Sequence, residues 1–155
     1  MGKREIDFDV QPMTFKKILV AVDEDDSSSS RKAFNYAVTL ANSYHVPMGV
    51  VTVLETSDLS IYDSLQPNVL EQRREAMSKS IDVYVEKAKN FGVNSVKGFI
   101  AEGKPGKVIV QNTIPDFEPD LLVCGSETKE KNSIFIGSQA SYMAQNAPCS
   151  VIVVR

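Results

Sequence analysis

Five short apolar runs punctuate the chain, and between them lie four stretches whose apolar residues recur at three- and four-residue spacing. The first run, Ile18 to Val22, is flanked by Lys16-Lys17 and stops on Asp23. Unbroken apolar character is what a strand buried on both faces requires, so this run predicts the centre of a sheet. Glu24-Asp25-Asp26 and then Ser27 to Ser30 follow. The serine hydroxyls are suited to cap the next helix, whose apolar face is Ala33, Phe34, Ala37, Leu40, Ala41 and Tyr44. His45-Val46-Pro47 ends it, because proline cannot continue a helix and disfavours one in the residue before it.

Met48 to Glu55 is β-branched and predicts a second interior strand. Residues 56–68 are polar with scattered Ile61, Tyr62 and Leu65, and read as a connection. Leu70, Met77, Ile81, Val85 and Ala88 then mark a long amphipathic helix, with Arg73, Glu75 and Lys79 between them and Gly92 suited to a left-handed cap. Residues 93–103 alternate weakly, and Lys97 and Gly98 point to an edge strand. Pro105 opens a short helix containing Val108 and Ile109. The glycines around it do not make a phosphate loop of the form G-x-x-x-x-G-K-[ST], since valine follows Gly106-Lys107. Pro115 and Pro119 fence off the run Leu121 to Cys124, which stops at Gly125-Ser126. After a polar loop Gly137-Ser138 opens a last short helix, and Val151 to Val154 closes the pattern.

Strands alternating with helices imply an α/β fold: an open five-stranded parallel sheet with right-handed crossovers and helices on both faces. Winding in the order 3-2-1-4-5 reverses direction between the first and fourth strands, and ligands of such sheets sit at that reversal, beyond the strands' C-terminal ends. The loop after Asp23 and the loop after Gly125 would then line one crevice. A helix starting at Gly137-Ser138 directs free N–H groups and its positive dipole end outward, a setting for a phosphate.

Composition narrows the function classes. With 155 residues and 43% hydrophobic side chains, the chain suits one domain at residues 16–155 behind a flexible N-terminal arm at residues 1–15. Seventeen basic against twenty acidic residues give a formal charge of −3. With no basic block, nucleic acid and anionic membranes are not expected partners. No apolar run approaches the ~20 residues of a membrane span and the N-terminus has no apolar signal core, so a cytoplasmic location is expected. Cys124 and Cys149 fall at opposite ends of neighbouring strands and are expected as free thiols. His45 is the only histidine and reads as a helix-end residue, which argues against a histidine metal site or catalytic triad.

From about Lys17 to Arg155 the chain resembles the universal stress protein family, through KKILVAVD, Glu102-Gly103 after the third strand, and DLLVCGS followed by GSQASYMAQNAPCSVIVVR. The resemblance implies an adenine nucleotide alpha hydrolase-like fold and a homodimer joined partly through the last strand. It also implies, in the nucleotide-binding branch, a motif G-x2-G-x9-G-[ST] that cradles ATP. Carried over, Asp23 (after Val22) contacts the base, Val53 lines its pocket, and Cys124-Gly125-Ser126, Thr128 and Gly137-Ser138-Gln139 form the phosphate and ribose cradle. Thr128 stands where the motif has its second glycine, and eleven residues (126–136) separate Gly125 from Gly137 where the motif has twelve. Ser133 adds a hydroxyl and Lys129 and Lys131 add charge near this loop. Glu24, Asp25 and Asp26 would repel a triphosphate unless Mg²⁺ or Mn²⁺ bridges them to it.

The expected function is an ATP-binding, stress-response regulatory protein. It is not primarily catalytic, with slow ATP hydrolysis at most, since no nucleophile is paired with a base. Two alternatives remain open. One is an interaction module of the same fold without nucleotide, which the Thr128 loop favours. The other is a nucleotide-dependent enzyme such as an adenylating ligase or flavoprotein subunit. A ligase would carry a Ser-Gly-Gly-x-Asp-Ser loop after its first strand, and this chain has none there.

Overall fold

The structure, a computed structural model, describes residues 2, 4–24, 27–55, 66–126 and 137–155, with the side chain of Pro67 excepted. Its centre is β1 (Ile18–Ala21), which pairs with β2 (Met48–Leu54) on one side and β4 (Leu121–Gly125) on the other. The edges are β3 (Val96–Glu102) beside β2 and β5 (Ser150–Val154) beside β4. Every pair is parallel and the order is β3-β2-β1-β4-β5, as the alternation of runs predicts. The three inner strands carry the unbroken apolar runs because both of their faces are covered.

Two core layers result. Ile18, Val20, Met48, Val50, Leu121 and Val123 face α1 (Ser28–Tyr44) and α2 (Pro67–Phe91). Leu19, Val51, Val53, Leu122 and Cys124 face the opposite way, toward α3 (residues 105–117) and α4 (Ser138–Asn146). Ser27 caps α1, its hydroxyl accepting the N–H of Ser30 at 3.1 Å. His45 ends α1 in the left-handed region (φ 56°), where its N–H reaches the carbonyls of Ala41 and Asn42. Gly92 closes α2 at φ 130°, in line with the capping expectation.

The third helix departs from the short one expected ahead of Pro115. Pro105–Val108 passes into a π-helical turn, Ile109–Thr113, and on into Ile114–Phe117, so Pro115 lies inside helix. In a regular α-helix its ring would crowd the carbonyl four residues back and its missing N–H would leave that carbonyl unpaired. Here the N–H of Ile114 reaches back five residues to Ile109, and this wider turn lets the helix run past the proline. It stops at Glu118, in the left-handed region (φ 56°), whose N–H donates to Ile114 at 2.7 Å.

At the opposite rim from the crevice, Asp120 joins β1 to β4. Its carboxylate accepts the N–H groups of Lys16 (2.7 Å) and Lys17 (3.0 Å), and its own N–H donates to the Lys17 carbonyl. Lys17 donates its ammonium to the Phe117 carbonyl at 2.9 Å and lies over that residue's ring. Cys124 and Cys149 are free thiols. Among the described residues, no helix is long and apolar enough to cross a membrane.

Candidate functional site

The site begins where β1 runs out. The N–H of Val22 still donates to Val51 at 2.9 Å, so the chain leaves the sheet only at Asp23. Asp23 is then wrapped around the first turn of α1. Its N–H donates to the Ser30 hydroxyl at 2.7 Å, and its carboxylate accepts the Ser27 hydroxyl at 2.8 Å. Ser30 is buried and Asp23 stays exposed. The serine run thus shapes the loop as well as capping the helix.

Gly125 meets this loop from β4. A Cβ built on Gly125 would overlap the Ser29 hydroxyl and stand 3.0 Å from the Ser29 carbonyl oxygen and 3.2 Å from its carbon. Only glycine lets the end of β4 lie against the start of α1 this closely. The end of β4 and the first turn of α1 therefore meet at the reversal of winding, on one rim. Ser126 continues outward, its N–H bonded to the carbonyl of Val154 at 3.0 Å.

On the other face Val53, Cys124 and Ala140 belong to one apolar cluster, which sets the first turn of α4 over the ends of β2 and β4. Gly137 precedes it in an extended conformation (φ −57°, ψ 151°) and, as a glycine, offers no side chain to cap the helix. The helical ladder starts with the Ser141 N–H donating to the Gly137 carbonyl at 2.9 Å, so the N–H groups ahead of it have no carbonyl partner within the helix. Gln139 has a different attachment: its side-chain carbonyl accepts the Gly106 N–H at 2.8 Å and ties the start of α3 to that of α4. Val22 packs in the cluster beneath α1, on the opposite face from Val53.

Two carboxylates at this rim are paired with arginines of α2. Glu24 accepts two bonds from Arg73 of α2, Nε at 2.9 Å and Nη2 at 2.7 Å, a planar fork suited to a carboxylate. Arg74 does the same for Glu102 at the end of β3 and also pairs with Glu71. The hydrogen bond from Arg74 outweighs partial burial and holds the Glu102 carboxyl below its ordinary range. Burial pushes the Cys124 thiol up to about 11, so it stands in the wall as a neutral apolar group.

Spacing along the chain missed Ser29 as the neighbour of Gly125 and Arg73 as the partner of Glu24. Arg73 lies 49 residues from its carboxylate, and its place on a helix face reads as an ordinary solvated charge. Asp25, Asp26, Thr128, Lys129, Lys131 and Ser133 lie outside the described residues. Among the described residues, no three His, Cys, Asp or Glu gather as a metal site.

The family model described as universal stress protein family matches residues 14–155. The chain belongs to the universal stress protein family. A putative universal stress protein of Staphylococcus saprophyticus is 31% identical over 144 residues, covering 92% of this chain and 85% of that one. Among solved structures, universal stress protein UspA from Lactobacillus plantarum is 26% identical with a TM-score of 0.77, covering 93% of this chain and 100% of that one. The universal stress protein from Archaeoglobus fulgidus in complex with dAMP shares the fold at 21% identity, with a TM-score of 0.63 and coverage of 92% and 100%. Within the universal stress protein fold, the Gly125–Ser29 contact marks the place where the end of β4 meets the start of α1.

Proposed function

We propose that this universal stress protein binds an adenine nucleotide, ATP, in the crevice between the ends of β1 and β4, and that occupancy rather than turnover is its output in the stress response. The observation that carries the reading is the contact of Gly125 with Ser29, because it puts a carboxylate loop and a glycine turn on one side of the winding reversal. Asp23 would meet the base and Val53 would line its pocket. Cys124, Gly125, Ser126, Gly137 and Ser138 would surround ribose and phosphates, with Thr128 in the connecting loop. The glycine-led first turn of α4 suits an anion, and dAMP in the archaeal neighbour supports an adenine ligand. Arg73 neutralises Glu24, which lowers the repulsion a triphosphate would meet there. Mg²⁺ or Mn²⁺ would enter with the nucleotide, held by its phosphates.

The reading places residues 16–155 in one domain, puts residues 1–15 outside it, and locates the protein in the cytoplasm. It also includes a homodimer. Val151, Ile152 and Val153 on the free edge of β5 are only partly buried, and a two-fold mate pairing along that edge would cover them. Denaturing the purified protein and chromatographing what it releases tests the ligand, with calorimetric titration of Mg-ATP alongside. Released ATP or ADP and a titratable heat, both lost in Gly137→Val, are expected. A clean supernatant with no heat overturns the reading in favour of an interaction module, which the Thr128 loop, one residue short of the motif, favours.

A further inference from the structure

We infer that Gln139 is a positioning residue for the nucleotide crevice: its side chain caps α3 from the neighbouring helix and so fixes the first turn of α4, on which the phosphates would rest. The inference rests on the nucleotide reading above, and it gives Gln139 a different part from the direct contact that the family resemblance implies. β3 ends at Glu102 ahead of α3, and α4 ends at Asn146 ahead of β5, so both helices start on the crevice rim. Both direct the positive ends of their dipoles there.

The sequence at the start of α3 provides no cap of its own. Lys104 stands at the N-cap position and its side chain makes no capping bond, and Pro105 has no N–H. Gly106 is therefore the first residue of the helix with an N–H to satisfy, and it is buried. The side-chain carbonyl of Gln139 accepts that N–H at 2.8 Å. Glycine permits the approach. A Cβ on Gly106 would stand 3.0 Å from the same oxygen, 3.1 Å from Cδ1 of Tyr142 and 3.2 Å from the backbone carbonyl oxygen of Gln139. Gly106 has no positive φ, so close packing rather than backbone freedom calls for glycine here.

A helix as short as α4 depends on its surroundings for its place. It has nine residues, of which Ala140 and Met143 are buried. Gln139 lies three and four residues before Tyr142 and Met143, on the face that meets α3. Ser138 is turned about 100° away from it and is exposed. Adjacent residues thus divide the work: Gln139 holds the turn, while Gly137 and Ser138 stay open to a ligand. The post to which Gln139 is tied is itself fixed. Ile109, Ile114 and Phe117 of α3 share one buried cluster with Ala140 and Met143, and at the opposite rim Lys17 donates to the Phe117 carbonyl at 2.9 Å. Groups that bind a phosphate through backbone N–H must be held in place by such supporting bonds.

Calorimetric titration of ATP and of adenosine into the parent, Gln139→Leu, Gln139→Glu and Gly106→Ala tests it. Leucine removes the acceptor and the alanine methyl displaces it. Each is expected to weaken ATP about tenfold and adenosine less than about twofold. Because both break the same bond, Gln139→Leu combined with Gly106→Ala is expected to be no weaker than either alone. Glutamate keeps an acceptor for the Gly106 N–H and is expected to lose less than leucine does. Equal weakening of ATP and adenosine, or additive losses in the combined variant, overturns the positioning role. A larger loss in Gln139→Glu than in Gln139→Leu overturns it in favour of direct contact with the phosphates, which a carboxylate would repel. ATP that binds the parent and Gln139→Leu alike overturns the role and leaves the nucleotide reading standing. A parent that gives no heat with ATP overturns both.

Discussion

Replacing Gly125 by alanine measures the contact on which the crevice depends. The backbone at Gly125 is not in the positive-φ region, so alanine is conformationally permitted there, and restricting the unfolded chain would on its own stabilise by about 0.4–1 kcal/mol. The added methyl, however, meets the Ser29 hydroxyl and then the Ser29 carbonyl oxygen at 3.0 Å, and the latter belongs to helix backbone that cannot rotate aside. Overpacking of this kind costs about 1–3 kcal/mol. The net expectation is a loss of about 1–2 kcal/mol, or roughly 3–6 °C in Tm for a chain of this length. Urea unfolding followed by far-UV circular dichroism reads the change directly. Ser29→Ala alone is expected to move stability by less than about 0.5 kcal/mol. Added to Gly125→Ala it removes the hydroxyl and recovers about half the loss, a coupling that two independent sites would not show. If Gly125→Ala is as stable as the parent, or Ser29→Ala recovers nothing, the end of β4 and the start of α1 do not touch as described.

Three other perturbations address other parts of the rim and core. Asp120→Ala removes the acceptor shared by two N–H groups and is expected to cost about 1 kcal/mol at pH 7. Burial raises the Asp120 pKa, but the N–H groups of Lys17 and Lys16 outweigh it and hold it below the ordinary 3.8. The contribution is therefore present above about pH 4 and lost as pH falls through the native value. Parent and variant unfolding curves should converge in acid, and a constant gap down to about pH 2 would refute the assignment. A thiol reagent at pH 8.5 is expected to modify Cys149 well before Cys124, whose thiol burial pushes to about 11, and to reach Cys124 only on unfolding; equal rates would contradict the packing. Arg73→Gln leaves Glu24 without its fork and is expected to weaken ATP more than AMP in calorimetry, whereas equal weakening would place Arg73 outside the reach of the phosphates.

Sequence reading succeeded where burial dictates residue type. Ile18 to Val22 and Leu121 to Cys124 are apolar without alternation because helices cover both faces of β1 and β4, and that forces the parallel order. It also placed Asp23 and Gly125 on one rim, since topology alone brings those ends together. It faltered where the cause lay in another element. Pro115 reads as a stop, but a π turn two residues earlier carries the helix through it. Gly98 reads as a sign of an edge strand; β3 is indeed an edge, yet the glycine is there because a Cβ would run into Ile81 of α2. The ties of Gln139 to Gly106 and Arg73 to Glu24 are contacts of tertiary packing, with no periodicity to announce them.

The bond from Ser126 to Val154 carries a practical lesson for anyone handling this protein. Whatever is joined after Arg155, whether an affinity handle, a fluorophore or a fused domain, emerges at the mouth of the crevice. Such a label would crowd a nucleotide and mimic a weak binder. Labels attached ahead of the arm leave that mouth clear, because the arm joins β1 at the opposite rim, and ligand titrations call for material labelled there.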